Sequence, residues 1–246
     1  MVHLIELRDR MIRVFAVWGL TTVFCYFFAG DIYNFLVEPL ADAFQGDDSR
    51  RLIYTSLTET FVTYVRLALY GGFIIGFPLI ASQIYLFIAP GLYKREKMVI
   101  LPYLVCAPIL FIAGAALCYY FVMPVAWSFF LSFEMPVGKA EVPLMLEAKV
   151  SEYVTLVVHV TVAFGLAFQL PVLLTLLVRM GMLKTDTLVS GRRYSVVILL
   201  VIAAILTPPD VLSQLMLFIP LYVLYECSIV ACRMIEKRHE MDIQHA

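Results

Sequence analysis

Phe61–Phe87, FVTYVRLALYGGFIIGFPLIASQIYLF, is apolar for almost its whole length and has Pro78 inside it. A helix needs about 20 predominantly apolar residues to cross the hydrocarbon core of a bilayer. This stretch is long enough, and similar runs recur along the chain, so the sequence describes a polytopic membrane protein. Composition agrees: of 246 residues, 62% are hydrophobic and 15% charged, whereas a soluble domain carries about 25% charged residues. The net charge of -1 decides nothing, because in a membrane protein the distribution of charge matters more than its sum.

Six spans are expected, from about Met11 to Gly30, Phe61 to Phe87, Met98 to Phe121 (with an extension towards Phe133), Tyr153 to Val178, Ser195 to Leu206, and Val211 to Val230. Each must be a helix, since a helix satisfies its own backbone in lipid and the alternating short strands of a barrel are absent. Together they make one integral membrane domain over residues 1–246. No small-residue cleavage site follows the first run, which is therefore expected to be a retained span. Cys25, Cys106, Cys118, Cys227 and Cys232 lie in or beside apolar runs and form no CxxC pair, so they are expected to be small buried hydrophobes. His3, His159, His239 and His245 show no ligand spacing. No metal or cofactor is expected.

Orientation follows from the Lys/Arg asymmetry. One side gathers Arg8, Arg10 and Arg13; Lys94, Arg95 and Lys97; Arg179, Lys184, Arg192 and Arg193; and Arg233, Lys237 and Arg238. The other has only Arg50, Arg51, Arg66, Lys139 and Lys149. The richer side is expected to be cytoplasmic, which puts both termini inside. On the outer side, two long loops carry amphipathic pieces. One contains Ile32, Phe35, Leu36, Pro39 and Leu40, and these loops are expected to form a structured cap.

The last two spans look short. Ser195–Leu206 reaches about 18 Å at 1.5 Å per residue, against a hydrocarbon core of about 30 Å. The turn "TPPD", Thr207 to Asp210, cannot continue a helix but can cap the next one. A short helical hairpin near the outer surface is expected, with a local effect on bilayer thickness.

Two cytoplasmic elements each offer one acid in basic surroundings. "HLIELRDRMIR" (His3 to Arg13) has helical spacing, with Leu4, Leu7 and Met11 on one face and Glu6 four residues before Arg10. "FIAPGLYKREK" (Phe87 to Lys97) holds Glu96 among Lys94, Arg95 and Lys97. Residue chemistry leaves two roles open. The acids can pair locally, which for an exposed i,i+4 pair stabilises by about 0.3–0.5 kcal/mol. Alternatively, two neighbouring carboxylates can receive two adjacent guanidinium groups, in a bidentate geometry that separates Arg from Lys.

"HLIELRDR", "FIAPGLYKREK", "FGLAFQLPV" and "LTPPDVLSQLMLFIPLYVLYE", in that order along nearly the whole chain, resemble the TatC family, the multispanning subunit of the twin-arginine protein translocase. The resemblance implies a non-enzymatic receptor in the bacterial inner membrane with a curved, concave bundle. Such a receptor binds twin-arginine signal peptides of folded proteins and recruits the single-span partners TatA and TatB. It also associates with further copies of itself and with lipid but not nucleic acid, and export is driven by the proton-motive force. The family's signal-binding acids map onto Glu6 and Glu96, with Arg8, Phe87, Pro90 and Tyr93 on the same surface.

Gln169 stands mid-span, two residues before Pro171, where many similar sequences carry Glu. It is expected either to hydrogen-bond a backbone carbonyl freed by Pro171 or to line a groove for a guest helix. Thr207, Asp210, Ser213 and Gln214 are expected to cap their own short helices or, as the resemblance implies, to dock the TatA and TatB spans, and Glu226, near the inner end of the last span, to face a basic partner or to reach water. The alternative function is a small-solute secondary transporter, which would call for a charged midplane site. Gln169 and the span prolines provide no such charge.

Overall fold

The computed structural model describes residues 2–44, 51–88, 101–134, 146–206 and 211–244. They form ten α-helices: α1 Val2–Phe27, α2 Ala29–Ala43, α3 Glu59–Ile88, α4 Leu101–Leu117, α5 Met123–Leu131, α6 Val150–Ala167, α7 Leu170–Arg179, α8 Thr185–Ser190, α9 Arg192–Leu206 and α10 Val211–Gln244. A π-helical turn, Cys118–Val122, joins α4 to α5. Five helical stretches are long and apolar enough to cross a membrane: Ile5–Phe27, Glu59–Phe87, Pro102–Leu131, Val150–Arg179 and Gln214–Lys237. The protein is an all-helical membrane protein.

The region expected as the fifth span lies in α9, whose 15 residues extend about 22 Å. The sixth helix is not short, contrary to expectation. It runs for 34 residues, because Glu236, Lys237, Arg238 and Glu240 follow the apolar run. These are strong helix formers, and they carry the helix on after the hydropathy has ended.

The chain forms two compact units. In the unit of residues 11–80 and 115–162, α1 lies against α3 along a glycine pair, Gly72 and Gly76. A Cβ on Gly72 would come within 2.6 Å of the Thr22 backbone nitrogen, so only glycine lets the two backbones approach this closely. Two α1 side chains use that proximity. Thr21 Oγ1 donates to the Gly72 carbonyl at 2.8 Å, and Trp18 Nε1 donates to the Leu69 carbonyl at 2.9 Å.

The amphipathic piece of the first long loop is α2, which buries Ala29, Leu36 and Leu40 and contains Pro39. Proline has no N–H, so the carbonyl four residues back loses its donor. That carbonyl belongs to Phe35, and Tyr119 in the π turn donates its hydroxyl to it at 2.6 Å. Tyr153 of α6 does the same for Leu36 at 2.7 Å. The Tyr119 ring also stacks on Phe35 with centroids 4.4 Å apart. Beside α2, Ile53 and Lys149 form a parallel bridge. Glu59, first in α3, accepts from Thr55 N at 2.8 Å and from Ser151 Oγ at 2.7 Å and Ser151 N at 3.2 Å. One carboxylate therefore sits at two helix N-termini, where backbone N–H groups have no helical partner. It also fixes the starts of α3 and α6 side by side.

In the unit of residues 1–10, 81–114 and 163–246, α4 crosses the α6–α7 break with almost no gap. A Cβ on Gly114 would meet the Phe164 carbonyl at 2.6 Å, and one on Gly165 would meet the Phe111 ring at 2.6 Å. Tyr103 and Ala107 of α4 pack with Val172 and Leu176 of α7. Helix α7 ends in a Schellman turn: Gly181 has φ +70°, Met182 N bonds the Leu177 carbonyl and Gly181 N bonds the Val178 carbonyl. Helix α10 then holds α8 by two bonds. Glu236 accepts from Thr185 N at 3.0 Å, and Tyr225 donates to the Leu188 carbonyl at 2.7 Å.

Gly72→Ala is expected to destabilise the detergent-solubilised protein by about 1–3 kcal/mol, because α1 must move off α3. Gly19→Ala, where a Cβ meets nothing within 4 Å, is the matched control and lowers the midpoint little or not at all. Thermal unfolding of the two variants side by side checks this.

Candidate functional site

Glu6 lies in the first turns of α1, and its carboxylate accepts from Arg10 Nη2 at 2.7 Å and Nε at 3.1 Å. Its side chain is 31% exposed. The i,i+4 spacing read from the sequence thus closes into a two-pronged ion pair. Arg10 holds the acid in place while part of it stays open to water. Arg8 turns to its neighbour Asp9 at 2.8 Å, with both side chains exposed. Phe87, near the end of α3, is half-buried. Glu96, Pro90 and Tyr93 lie outside the described residues.

Gln169 sits at the break between α6 and α7, and the break explains its role. Its backbone N–H bonds Leu166 rather than Gly165, so the Gly165 carbonyl loses its helical donor. Pro171 offers no N–H to the Ala167 carbonyl. The Gln169 side chain fills part of this gap: Nε2 donates to the Ala107 carbonyl of α4 at 3.0 Å and lies 3.5 Å from the Gly165 carbonyl. The amide therefore ties the α6–α7 break to the helix that crosses it. Its Oε1 is buried without a partner. Gln83 of α3, in the same unit, also has a buried, unpartnered Oε1. Sequence reading passed over Gln83, although an amide inside an apolar run was the available signal.

Of the expected docking residues, Gln214 donates from Nε2 to the Leu200 carbonyl at 3.2 Å and ties α10 to α9. Glu226 accepts from Arg192 Nη2 at 2.8 Å and from the Tyr222 hydroxyl at 3.3 Å. Both polar groups thus join α9 to α10 within the chain. Thr207 and Asp210 lie outside the described residues, as does the side chain of Ser213, whose backbone is in α10.

Among its described residues this arrangement holds no nucleophile–base pair. It is a set of helix breaks tied by side-chain donors, with one acid presented near the N-terminus. The family model for the Sec-independent protein translocase protein (TatC) matches residues 2–220. The chain belongs to the TatC family. A Sec-independent protein translocase protein TatC from Rickettsia prowazekii (strain Madrid E) is 48% identical over 99% of this chain and 96% of its own length. The TatC protein of Escherichia coli (strain K12) is 34% identical over 94% of this chain and 86% of its own. A crystal structure of the twin arginine translocase receptor TatC has a TM-score of 0.81 at 33% identity, covering 95% of this chain and 99% of that one. The chain is a translocase subunit of the Sec-independent pathway and a component of protein transport, not an enzyme. A small-solute transporter is set aside on the same ground.

Gln169→Leu removes the bond to the Ala107 carbonyl of α4 and leaves the Gly165 carbonyl without its side-chain donor. It is expected to destabilise the protein by about 1–3 kcal/mol, read as a lower unfolding midpoint in detergent. An unchanged midpoint would mean that the amide is not a tie.

Proposed function

We propose that this TatC-family chain is the signal-peptide receptor of its translocase. Six spans put both termini in the cytoplasm of a bacterium, with the chain in the inner membrane. The α9–α10 hairpin provides the sixth crossing, its short α9 lying where the bilayer thins. Two adjacent arginines of a folded cargo's signal dock on Glu6 and Glu96, flanked by Arg8, Phe87, Pro90 and Tyr93. The apolar part of the signal then lies along the break at Gln169. TatA and TatB helices settle near Thr207, Asp210, Ser213, Gln214 and Glu226, further copies of the chain join them, and the proton-motive force drives export.

The observation that carries the proposal is the Glu6 carboxylate, part-exposed and held by Arg10 on the first turns of α1. A fixed carboxylate suits the planar fork of a guanidinium better than the compact charge of an ammonium. The description of the solved relative as a twin arginine translocase receptor supports the same role. The 13-to-5 split of the 18 Lys and Arg residues supports the orientation.

Binding of a twin-arginine signal peptide and its twin-lysine counterpart to the purified protein tests this. Wild type is expected to prefer arginine by about tenfold, or about 1.4 kcal/mol, and Glu6→Gln/Glu96→Gln to lose that preference. If the double variant binds both peptides as wild type does, the acids are only local counter-charges.

A further inference from the structure

A cavity of about 280 Å³ opens beside α2, within the unit of residues 11–80 and 115–162. One wall is Tyr33, Val37, Leu40 and Ala41, and the other is Arg51 and Leu52 from the segment before α3. The four α2 residues fall at i, i+4, i+7 and i+8, so they form one stripe of the helix. Both walls are fixed from behind. Tyr119 and Tyr153 hold the Phe35 and Leu36 carbonyls of α2. Ile53, next to Leu52, donates to the Ala148 carbonyl at 3.1 Å and accepts from Val150 N at 2.9 Å. The space between the walls is therefore preformed.

Its lining combines apolar surface with two donors. Val37, Leu40, Ala41 and Leu52 offer only hydrocarbon. Arg51 is the one charged residue of the lining and is exposed. Among the described residues no carboxylate pairs with it, and the Tyr33 hydroxyl has no hydrogen-bond partner. Burial, with Tyr64 beside it, pushes the Tyr33 pKa up, so the hydroxyl stays protonated and can donate. At about 30 Å³ per water the cavity holds about nine waters, which is room for one short alkyl chain. Apolar walls with a few polar groups that fix orientation are the usual make-up of a small-molecule site. Here both polar groups are donors, and a guanidinium is best matched by a planar or tetrahedral oxyanion.

We propose that this cavity binds a single alkyl chain that ends in an anionic group. The chain lies against Val37, Leu40, Ala41 and Leu52, and the anion accepts from Arg51 and from the Tyr33 hydroxyl. A free fatty acid and one chain of an anionic phospholipid share this chemistry. A bound chain bridges α2 to the segment before α3 and so stiffens that part of the unit. The site involves neither Glu6, Glu96 nor Gln169, so it stands whether or not the signal-receptor proposal holds.

The test uses the full chain in phosphatidylcholine nanodiscs and a decanoic acid that carries a photoreactive diazirine. The matching alcohol is the uncharged control. Adducts are mapped by mass spectrometry, and labelling of residues 33–52 is normalised to labelling of the rest of the chain. The acid is expected to label residues 33–52 about tenfold more than the alcohol does. Arg51→Gln removes that advantage, and Arg51→Lys, which keeps the charge but not the fork, retains part of it. Ala41→Trp, which fills the cavity, lowers labelling by both probes. Each variant is required to keep the wild-type unfolding midpoint, and the two Arg51 variants provide the readout if Ala41→Trp does not fold. Equal labelling by acid and alcohol, or an advantage that survives Arg51→Gln, overturns the proposal. Nanodiscs containing phosphatidylglycerol separate the two sources. Suppression of the acid's adduct there assigns the cavity to a lipid chain, and an undiminished adduct assigns it to a free acid.

Discussion

A carbonyl that loses its helical N–H donor at a break or a proline must find another, and in this protein side chains from neighbouring segments supply it. This constraint shapes both units. In one, Pro39 frees the Phe35 carbonyl, and Tyr119 and Tyr153 reach two successive carbonyls of α2 from the π turn and from α6. In the other, the break before Pro171 leaves Gly165 without its helical donor, and Gln169 ties that turn to Ala107 of α4. Each break becomes a joint between helices rather than a weak point in one. A break tied to its neighbour in this way is held at its angle.

Glycine makes these joints possible by bringing backbones within reach of short side chains. Thr21 bonds the Gly72 carbonyl because α1 rests directly on α3 there. Gln169 reaches Ala107 because Phe111 lies over Gly165 and Phe164 and Phe168 lie against Gly114. Apolar packing alone gives little preference between protein and lipid, so close approach and interhelical hydrogen bonds supply much of the specificity. The same logic joins α9 to α10 through Gln214 and Glu226. Residues that the sequence offered as sites for partners thus also have partners within the chain.

The sequence made much of this legible. Apolar runs located the helices, the spacing of Ile32, Phe35, Leu36 and Leu40 marked α2, and the interval from Glu6 to Arg10 foretold their ion pair. What it hid was relational. Gln169 was visible as a polar group beside a proline, but its partner Ala107 is 62 residues away and carries no side-chain signal. Tyr119 and Tyr153 are indistinguishable in sequence from tyrosines at a membrane interface. The length of α10 was misjudged because hydropathy reports where lipid ends, not where helix propensity ends.

The central claim is that carbonyls that lose their helical donor are held by side-chain donors, and a double-mutant cycle on Pro39 and Tyr119 tests it most directly. Pro39→Ala restores an N–H for the Phe35 carbonyl, so removing the Tyr119 hydroxyl should cost less in that background than in wild type. Unfolding free energies of wild type, Pro39→Ala, Tyr119→Phe and the double variant should reveal a coupling of about 0.5–3 kcal/mol. Strict additivity of the two substitutions would contradict the account.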